Sequence, residues 1–217
     1  NIAIIRGAGI DGLEEVHRIP LMDLDRINGI DHLTCLYVPP VPLHNKVKYN
    51  LKDLREIMKI LRGENGCPWD LEQTHESLKP FLLEETYEVI EMLDMENMDG
   101  LCDELGDLLL QIVFHSAIGE ENNDFDLSDV ITSISNKMIS RHTHIFGNDK
   151  ADTPEEVSDN WERIKMKEKG FNKYTETLKA VPSILPALMR SYKVQEKAAV
   201  VGFDWERVED AAEKVFE

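Results

Sequence analysis

Glu85 and Glu88 stand three residues apart, and so do Glu104 and Asp107. Residues three apart share one face of a helix, so each pair aims two carboxylates in one direction. The connection between the two segments, near Glu96–Gly100, is short, which predicts antiparallel neighbouring helices with both pairs two to three turns from the turn. Four carboxylates then converge on one point. Converged like charges repel, and the arrangement becomes tolerable when a cation sits among them. Four oxygen ligands with room for water suit a hard divalent ion, magnesium or alternatively manganese. Neither pair contains histidine, which disfavours zinc and the Glu-x-x-His di-iron pattern.

The surroundings sharpen this expectation. The 57 residues from Pro80 to Asn136 hold fifteen carboxylates and neither lysine nor arginine. They account for −15 of a formal net charge of −18, so the rest of the chain is nearly balanced. Acids on a plain solvated helix are commonly relieved by bases four residues on. Here Val89, Met92, Leu108 and Gln111 occupy those positions. The sequence therefore predicts carboxylates without basic partners.

Several function classes are disfavoured by composition. An acidic balance argues against a nucleic-acid backbone or an anionic membrane surface as partner. No apolar run approaches the roughly 20 residues of a membrane span, and the chain opens at Asn1 without a signal-peptide pattern. Cys35, Cys67 and Cys102 form no CxxC and no even framework. They read as free thiols of a reducing compartment, the cytoplasm. Cys67 with His75 offers only two ligands, too few for zinc. Asn122–Asp126 lacks the glycine and closing glutamate of an EF-hand loop, which removes a calcium reading.

The elements that must position the pairs follow from periodicity. Ile2–Ile5 and Leu33–Val38 read as short buried strands, followed by the linker Pro39-Pro40-Val41-Pro42. From Leu51 the period becomes helical, with Leu51, Leu54, Ile57, Met58 and Leu61 on one face. Gly66–Asp70 reads as a rigid loop. A second helix is predicted from Ser77 to Leu93 and a third from Asp99 to Ile118, with Leu101, Leu105, Leu108, Leu109, Ile112 and Val113 inward. A fourth covers Ser128–Ser140, with Val130, Ile131, Ile134 and Met138 inward. A fifth opens on Thr153, Pro154 and Glu156 as a capping box. Further helices are expected over 186–200 and from Trp205 to the end. The fold class is all-α, an antiparallel helical bundle, with a short N-terminal α/β remnant over 1–45 and the main domain over 51–200.

Glu84-Glu85-Thr86-Tyr87-Glu88 followed by Glu104-Leu105-Gly106-Asp107 resembles the EExxE…ExxD pattern of MazG-type nucleoside triphosphate pyrophosphohydrolases. The resemblance runs from Leu51 to Trp205. It takes in Gly66–Asp70 with Gln73-Thr74-His75, Arg141–Phe146, Trp161–Lys165, Ile184–Leu188 and Val201–Trp205. The segment from Ile5–Gly9 to Tyr37–Pro40 resembles the end of a tetrapyrrole-methylase-type domain, which in bacterial fusions precedes a MazG module.

The resemblance implies magnesium-dependent hydrolysis of NTPs or dNTPs to the monophosphate and pyrophosphate. It implies Glu85, Glu88, Glu104 and Asp107 as metal ligands, with Glu84 supporting them or acting as base. Nucleotide contacts would come from Trp69, Arg141, His144, Trp161 and Lys165, beside Arg163 and a solvated Lys167. Packing in the loop is the alternative for Trp69, and a core position for Trp161. A homodimer is implied as well, and the two or three long amphipathic helices of one module, which a partner would complete, point the same way. Two departures stand out. Phe81 and Gly100 occupy positions four residues before Glu85 and Glu104, where a second module of the family often carries lysines. Residues 201–217, ending in Lys214–Glu217, resemble the onset of such a second module. The rival reading is a weakly active or non-catalytic, metal-containing dimerisation module attached to a methylase-like domain.

Overall fold

The computed structural model describes residues 1–205 and 207–216. Glu206 and Glu217, both in the expected onset of a second module over 201–217, lie outside the described residues. The chain divides into two compact units, Asn1–Leu127 and Ser128–Glu217, described in turn. No helix among the described residues is long and apolar enough to cross a membrane.

The first unit opens with a three-stranded antiparallel sheet. Strands β1 (Ile2–Arg6), β2 (Glu15–Ile19) and β3 (Thr34–Tyr37) are ordered β2-β1-β3. Ile4 stands opposite His17 on one side and Leu36 on the other. Ile2, Ala3 and Ile4 are buried. The expected α/β remnant is thus a sheet with two 3-10 turns, and residues 1–50 contain no α-helix. β2 escapes a hydrophobic-pattern reading because Glu15-Val16-His17-Arg18-Ile19 is largely polar. β3, expected buried, is mostly exposed because it is an edge strand.

Helix α1 (Leu51–Leu61) starts at Asn50, whose side chain accepts from Lys52 N at 2.9 Å and Asp53 N at 3.2 Å. Asp53 returns the bond to Asn50 N at 3.1 Å, closing a capping box. Lys46 Nζ lies 2.5 Å from the Asp53 carboxylate. Past the end of α1, Cys67 N donates to the Leu61 carbonyl at 2.7 Å. A Cβ on Gly66 would run into that same carbonyl, so the turn requires glycine. The predicted rigid loop is in fact the short helix α2 (Pro68–Glu72), because Pro68 at the first helical position supplies a ready-made φ.

Helices α3 (Lys79–Asp94) and α4 (Met98–Asn122) form a hairpin across Met95–Asn97. Asn97 caps α4 by accepting from Gly100 N at 3.1 Å. α4 runs four residues beyond the predicted Ile118 and ends at Asn123, whose φ of 59° is left-handed. The core of the unit joins Met58, Leu78, Val113, Phe114, Ile118 and Leu127. Of the stripe expected inward on α4, Leu105, Leu109 and Ile112 are instead exposed, as are Leu82, Leu83, Tyr87 and Ile90 on α3. A two-helix hairpin resting on one further helix has too few neighbours to cover both apolar faces.

The second unit takes in α5 (Leu127–Arg141) from its second residue, then α6 (Thr143–Phe146), α7 (Pro154–Glu168), α8 (Tyr174–Lys179), α9 (Ala187–Ala199) and α10 (Val208–Phe216). Ile131, Ile134 and Met138 of α5, expected inward, are exposed. Only half of the capping box predicted for α7 forms. Thr153 Oγ1 accepts from Glu156 N at 3.3 Å, but Glu156 turns back to Asp152 N at 2.8 Å rather than to Thr153 N. The short helices α6 and α8 were not expected, since neither is long enough to show a period.

Candidate functional site

The α3–α4 hairpin places the acidic pairs side by side. Carboxylate oxygens of Glu85, Glu88 and Glu104 lie within 4.8 Å of one another, and all three residues are half-buried. Asp107 is more exposed and stands outside this cluster, but its charge acts on both Glu85 and Glu104. Glu84 is exposed and also outside it. Three of the four expected ligands are therefore gathered, and the fourth is within electrostatic range.

The electrostatics are those of crowded acids. Burial pushes the Glu85 carboxyl above its ordinary range, and the charges of Asp107, Glu88 and Glu104 push it further. Burial likewise raises Glu104, with Glu88, Asp107 and Asp103 adding to it. Among the described residues, no ion pair reaches Glu85, Glu88, Glu104 or Asp107. An octahedral magnesium ion with oxygens at about 2.1 Å needs those oxygens roughly 3–4 Å apart. Small rotations of flexible glutamates supply the difference. The all-carboxylate donor set and the unrelieved repulsion fit a hard divalent cation.

The expectation of partnerless acids fails elsewhere in the stretch. Arg55 Nη2 lies 3.1 Å from both Glu120 and Asp126, and Lys59 Nζ is 2.7 Å from Glu120. Arg62 pairs with Glu121 through Nε and Nη2, each at 2.7 Å. Arg55 and Lys59 come from α1 and Arg62 is the residue that closes it, all far away in sequence, so a search at i,i+4 could not see them. Hydrogen bonds from Lys59 and Arg55 outweigh burial and hold Glu120 below its ordinary value of 4.5. A carboxyl depressed on folding stabilises the fold above its unfolded value, and that stability is lost as pH falls through the folded value. Glu120→Gln is therefore expected to flatten the acid limb of stability below about pH 4.5, read from denaturation midpoints against pH. An unchanged acid limb would count against the ion-pair cluster.

The nucleotide candidates are distributed over both units. Trp69, in α2, packs edge-on to Phe81 at 5.9 Å and to Phe114 at 6.5 Å, with half its surface exposed. In the second unit Arg141 is gripped by Glu168, with Nη2 at 2.7 Å and Nε at 3.1 Å, and its guanidinium lies 5.1 Å from the Trp161 ring centre. His142 meets Trp161 edge-on at 5.2 Å, and His144 sits 5.7 Å from His142. Lys165 pairs with Glu162 at 2.8 Å. Arg163 donates to Asn160 at 3.0 Å, and Lys167 is exposed. Sequence reasoning missed Glu168, Glu162 and His142, the residues that fix these candidates. It also missed the contact of His75 with His115 of α4, whose Nδ1 atoms are 2.8 Å apart. One proton shared between the two rings ties the loop after α2 to α4.

A family model described as the MazG nucleotide pyrophosphohydrolase domain matches residues 73–146. The chain is 45% identical over 195 residues to Bacillus subtilis "Uncharacterized protein YabN", covering 90% of this chain and 40% of that protein. It is 44% identical over 165 residues to the Escherichia coli "Nucleoside triphosphate pyrophosphohydrolase", covering 76% of this chain and 63% of that one. A solved structure, "Crystal structure of mazG-related protein from Thermotoga maritima", aligns at 27% identity with a TM-score of 0.46, over 53% of this chain and 98% of that chain. The chain thus spans less than two thirds of the length of the curated relatives it matches. All four expected metal ligands fall within the matched segment, and residues 73–146 are a MazG nucleotide pyrophosphohydrolase domain match by sequence.

Proposed function

We propose that this chain hydrolyses nucleoside triphosphates, with ribose or deoxyribose, to the monophosphate and pyrophosphate. The observation that carries the reading is the half-buried cluster of Glu85, Glu88 and Glu104, without a cationic partner among the described residues, inside the segment that matches the MazG domain. The name borne by relatives at 44–45% identity supports the same activity. Glu85, Glu88, Glu104 and Asp107 would hold magnesium, or manganese in its place. When bound, the ion supplies charge neutralisation for the phosphate chain and a more acidic water. Glu84 is exposed beside the cluster, free to support a ligand or to accept a proton from water. Glu168 grips Arg141 through Nε and Nη2, so the remaining guanidinium nitrogen is the one that would meet a phosphate oxygen. Trp161 stacks under that guanidinium, so its part is to hold Arg141 flat.

Residues 51–200 are read as the hydrolytic domain, 1–45 as the remnant of a methylase-type domain, and 201–217 as the start of a further module. The alignment with YabN supports continuity into the N-terminal piece, since 195 aligned residues must include part of it. The exposed apolar residues of α3 and α4 support a homodimer closed by helix packing. Sedimentation at micromolar concentration is expected to show a dimer, and a species of 24.9 kDa would count against it.

A panel of dNTPs and NTPs tests the activity. Magnesium-dependent release of pyrophosphate with the matching monophosphate is expected. Release of inorganic phosphate alone, or no turnover with a stable fold, would leave the non-catalytic dimerisation reading in its place.

A further inference from the structure

The second unit contains a cavity whose lining includes Lys165, a nucleotide candidate of the hydrolytic reading, but otherwise residues to which that reading gives no part. Glu162, Lys165 and Met166 of α7 and Lys169, which closes it, share one face at the i, i+3, i+4, i+7 spacing of a helix. Lys193 and Lys197 face them from α9, one turn apart. The floor is apolar, with Phe171, Val181, Pro182 and Leu185. The pocket measures about 300 Å³ and adjoins a wider one of about 1040 Å³ that shares Glu162, Lys165, Lys193 and Lys197 as walls. These volumes match the range of roughly 300–1,000 Å³ common for small-ligand sites.

Charge distinguishes this pocket from an ordinary surface groove. Arg163, Lys165, Lys167, Lys169, Lys193 and Lys197 line the two cavities, six of the 24 basic residues in a chain of net charge −18. Asp159, Glu162 and Glu196 are the facing acids. Glu162 is shared by Lys165 at 2.8 Å and Lys197 at 3.7 Å, and Glu196 takes Lys193 at 2.9 Å. Positive charge therefore remains after internal pairing. Among the described residues Lys169 makes no ion pair, and its Nζ lies 5.7 Å from the centre of the Phe171 ring. An unpaired ammonium over an aromatic face, above an apolar floor, asks for a ligand with an anionic end and a flat apolar body.

We propose that the α7–α9 pocket binds a nucleoside phosphate without a divalent metal, the phosphate among Lys169, Lys193 and Lys197 and the nucleoside against Phe171 and Val181. This binding does not rest on the hydrolytic reading, because the acidic cluster takes no part in it. Without a ligand the same lysines would simply lay their methylene stems over the apolar floor, and the test separates the two.

The test uses the whole chain carrying Glu88→Gln, in EDTA, with a fluorescent N-methylanthraniloyl-AMP as probe. Saturable binding is expected, displaced by unlabelled AMP and only weakly by inorganic phosphate. Adding Lys169→Gln and Lys193→Gln is expected to weaken it at least about tenfold, a loss of roughly 1.4 kcal/mol, with the melting temperature unchanged. Lys169→Arg with Lys193→Arg is expected to retain it. No saturable binding at millimolar probe, or equal binding by the Gln variant, overturns the proposal. Displacement by phosphate as effective as by AMP overturns the nucleoside assignment. Failure of turnover in the wild type, with this binding intact, would fall on the hydrolytic reading alone.

Discussion

Glu88→Gln is expected to lower pyrophosphate release by on the order of 10²–10³-fold, the loss typical when one charge-stabilising group is removed from an active site. Glu88 is the member of the cluster that both neighbours feel, since its charge and its hydrogen bonds raise Glu85 and Glu104 alike. Glutamine keeps the shape and removes the charge. The apo variant is therefore expected to be as stable as the wild type or more so, because a repulsive charge has gone. The wild type is expected to gain melting temperature with magnesium, as any ligand of the folded form alone must bring about. The variant is expected to gain much less. Thermal denaturation with and without magnesium, beside a pyrophosphate assay, reads both effects. A variant that turns over normally, or a wild type indifferent to magnesium, would sink the assignment of this cluster.

The largest expected effect on stability comes from Arg62→Met. The side chain of Arg62 is only 6% exposed. Its Nε and Nη2 pair with Glu121, and its Nη1 donates to the carbonyls of Asp70 and, at 3.3 Å, Gln73. Its guanidinium carbon lies 5.2 Å from the centre of the Phe114 ring. Arg62 thereby ties the end of α1 to α2, to the loop after it and to α4. Methionine fills part of the volume but leaves the Gln73 carbonyl without its donor, at about 1–3 kcal/mol for such a group when buried, while the Asp70 carbonyl keeps only the bond from Gln73 N at 3.3 Å. Glu121 is nearly half exposed, so its loss of a partner adds little. A total of about 1–3 kcal/mol is expected, read by urea denaturation. A change within about 0.5 kcal/mol, the range of ordinary surface substitutions, would show that solvent takes over these roles.

The helical class from Leu51 onward, the two acidic pairs and the approach of Glu85, Glu88 and Glu104 across a short turn are legible in the sequence. These are local properties: a 3.6-residue period, an i,i+3 spacing and a loop too short for anything but a hairpin. The limits of α1 were legible for the same reason, in its apolar face and the stop before Gly63. Tertiary structure decided which acids remain unpaired. Within one run of fifteen carboxylates, Glu120, Glu121 and Asp126 take bases from α1 and its closing residue Arg62, while Glu85, Glu88 and Glu104 take none among the described residues. That division depends on contacts some 60 residues apart along the chain, which no spacing rule encodes. Packing also decided that Leu105, Leu109 and Ile112 face outward. Periodicity marks an apolar face, but only the count of neighbouring elements says whether one chain covers it. The α7–α9 pocket belongs to the same class of fact. Lys169 and Lys193 are unremarkable in the sequence, and become one site because α7 and α9 turn lysine-bearing faces toward the same apolar floor.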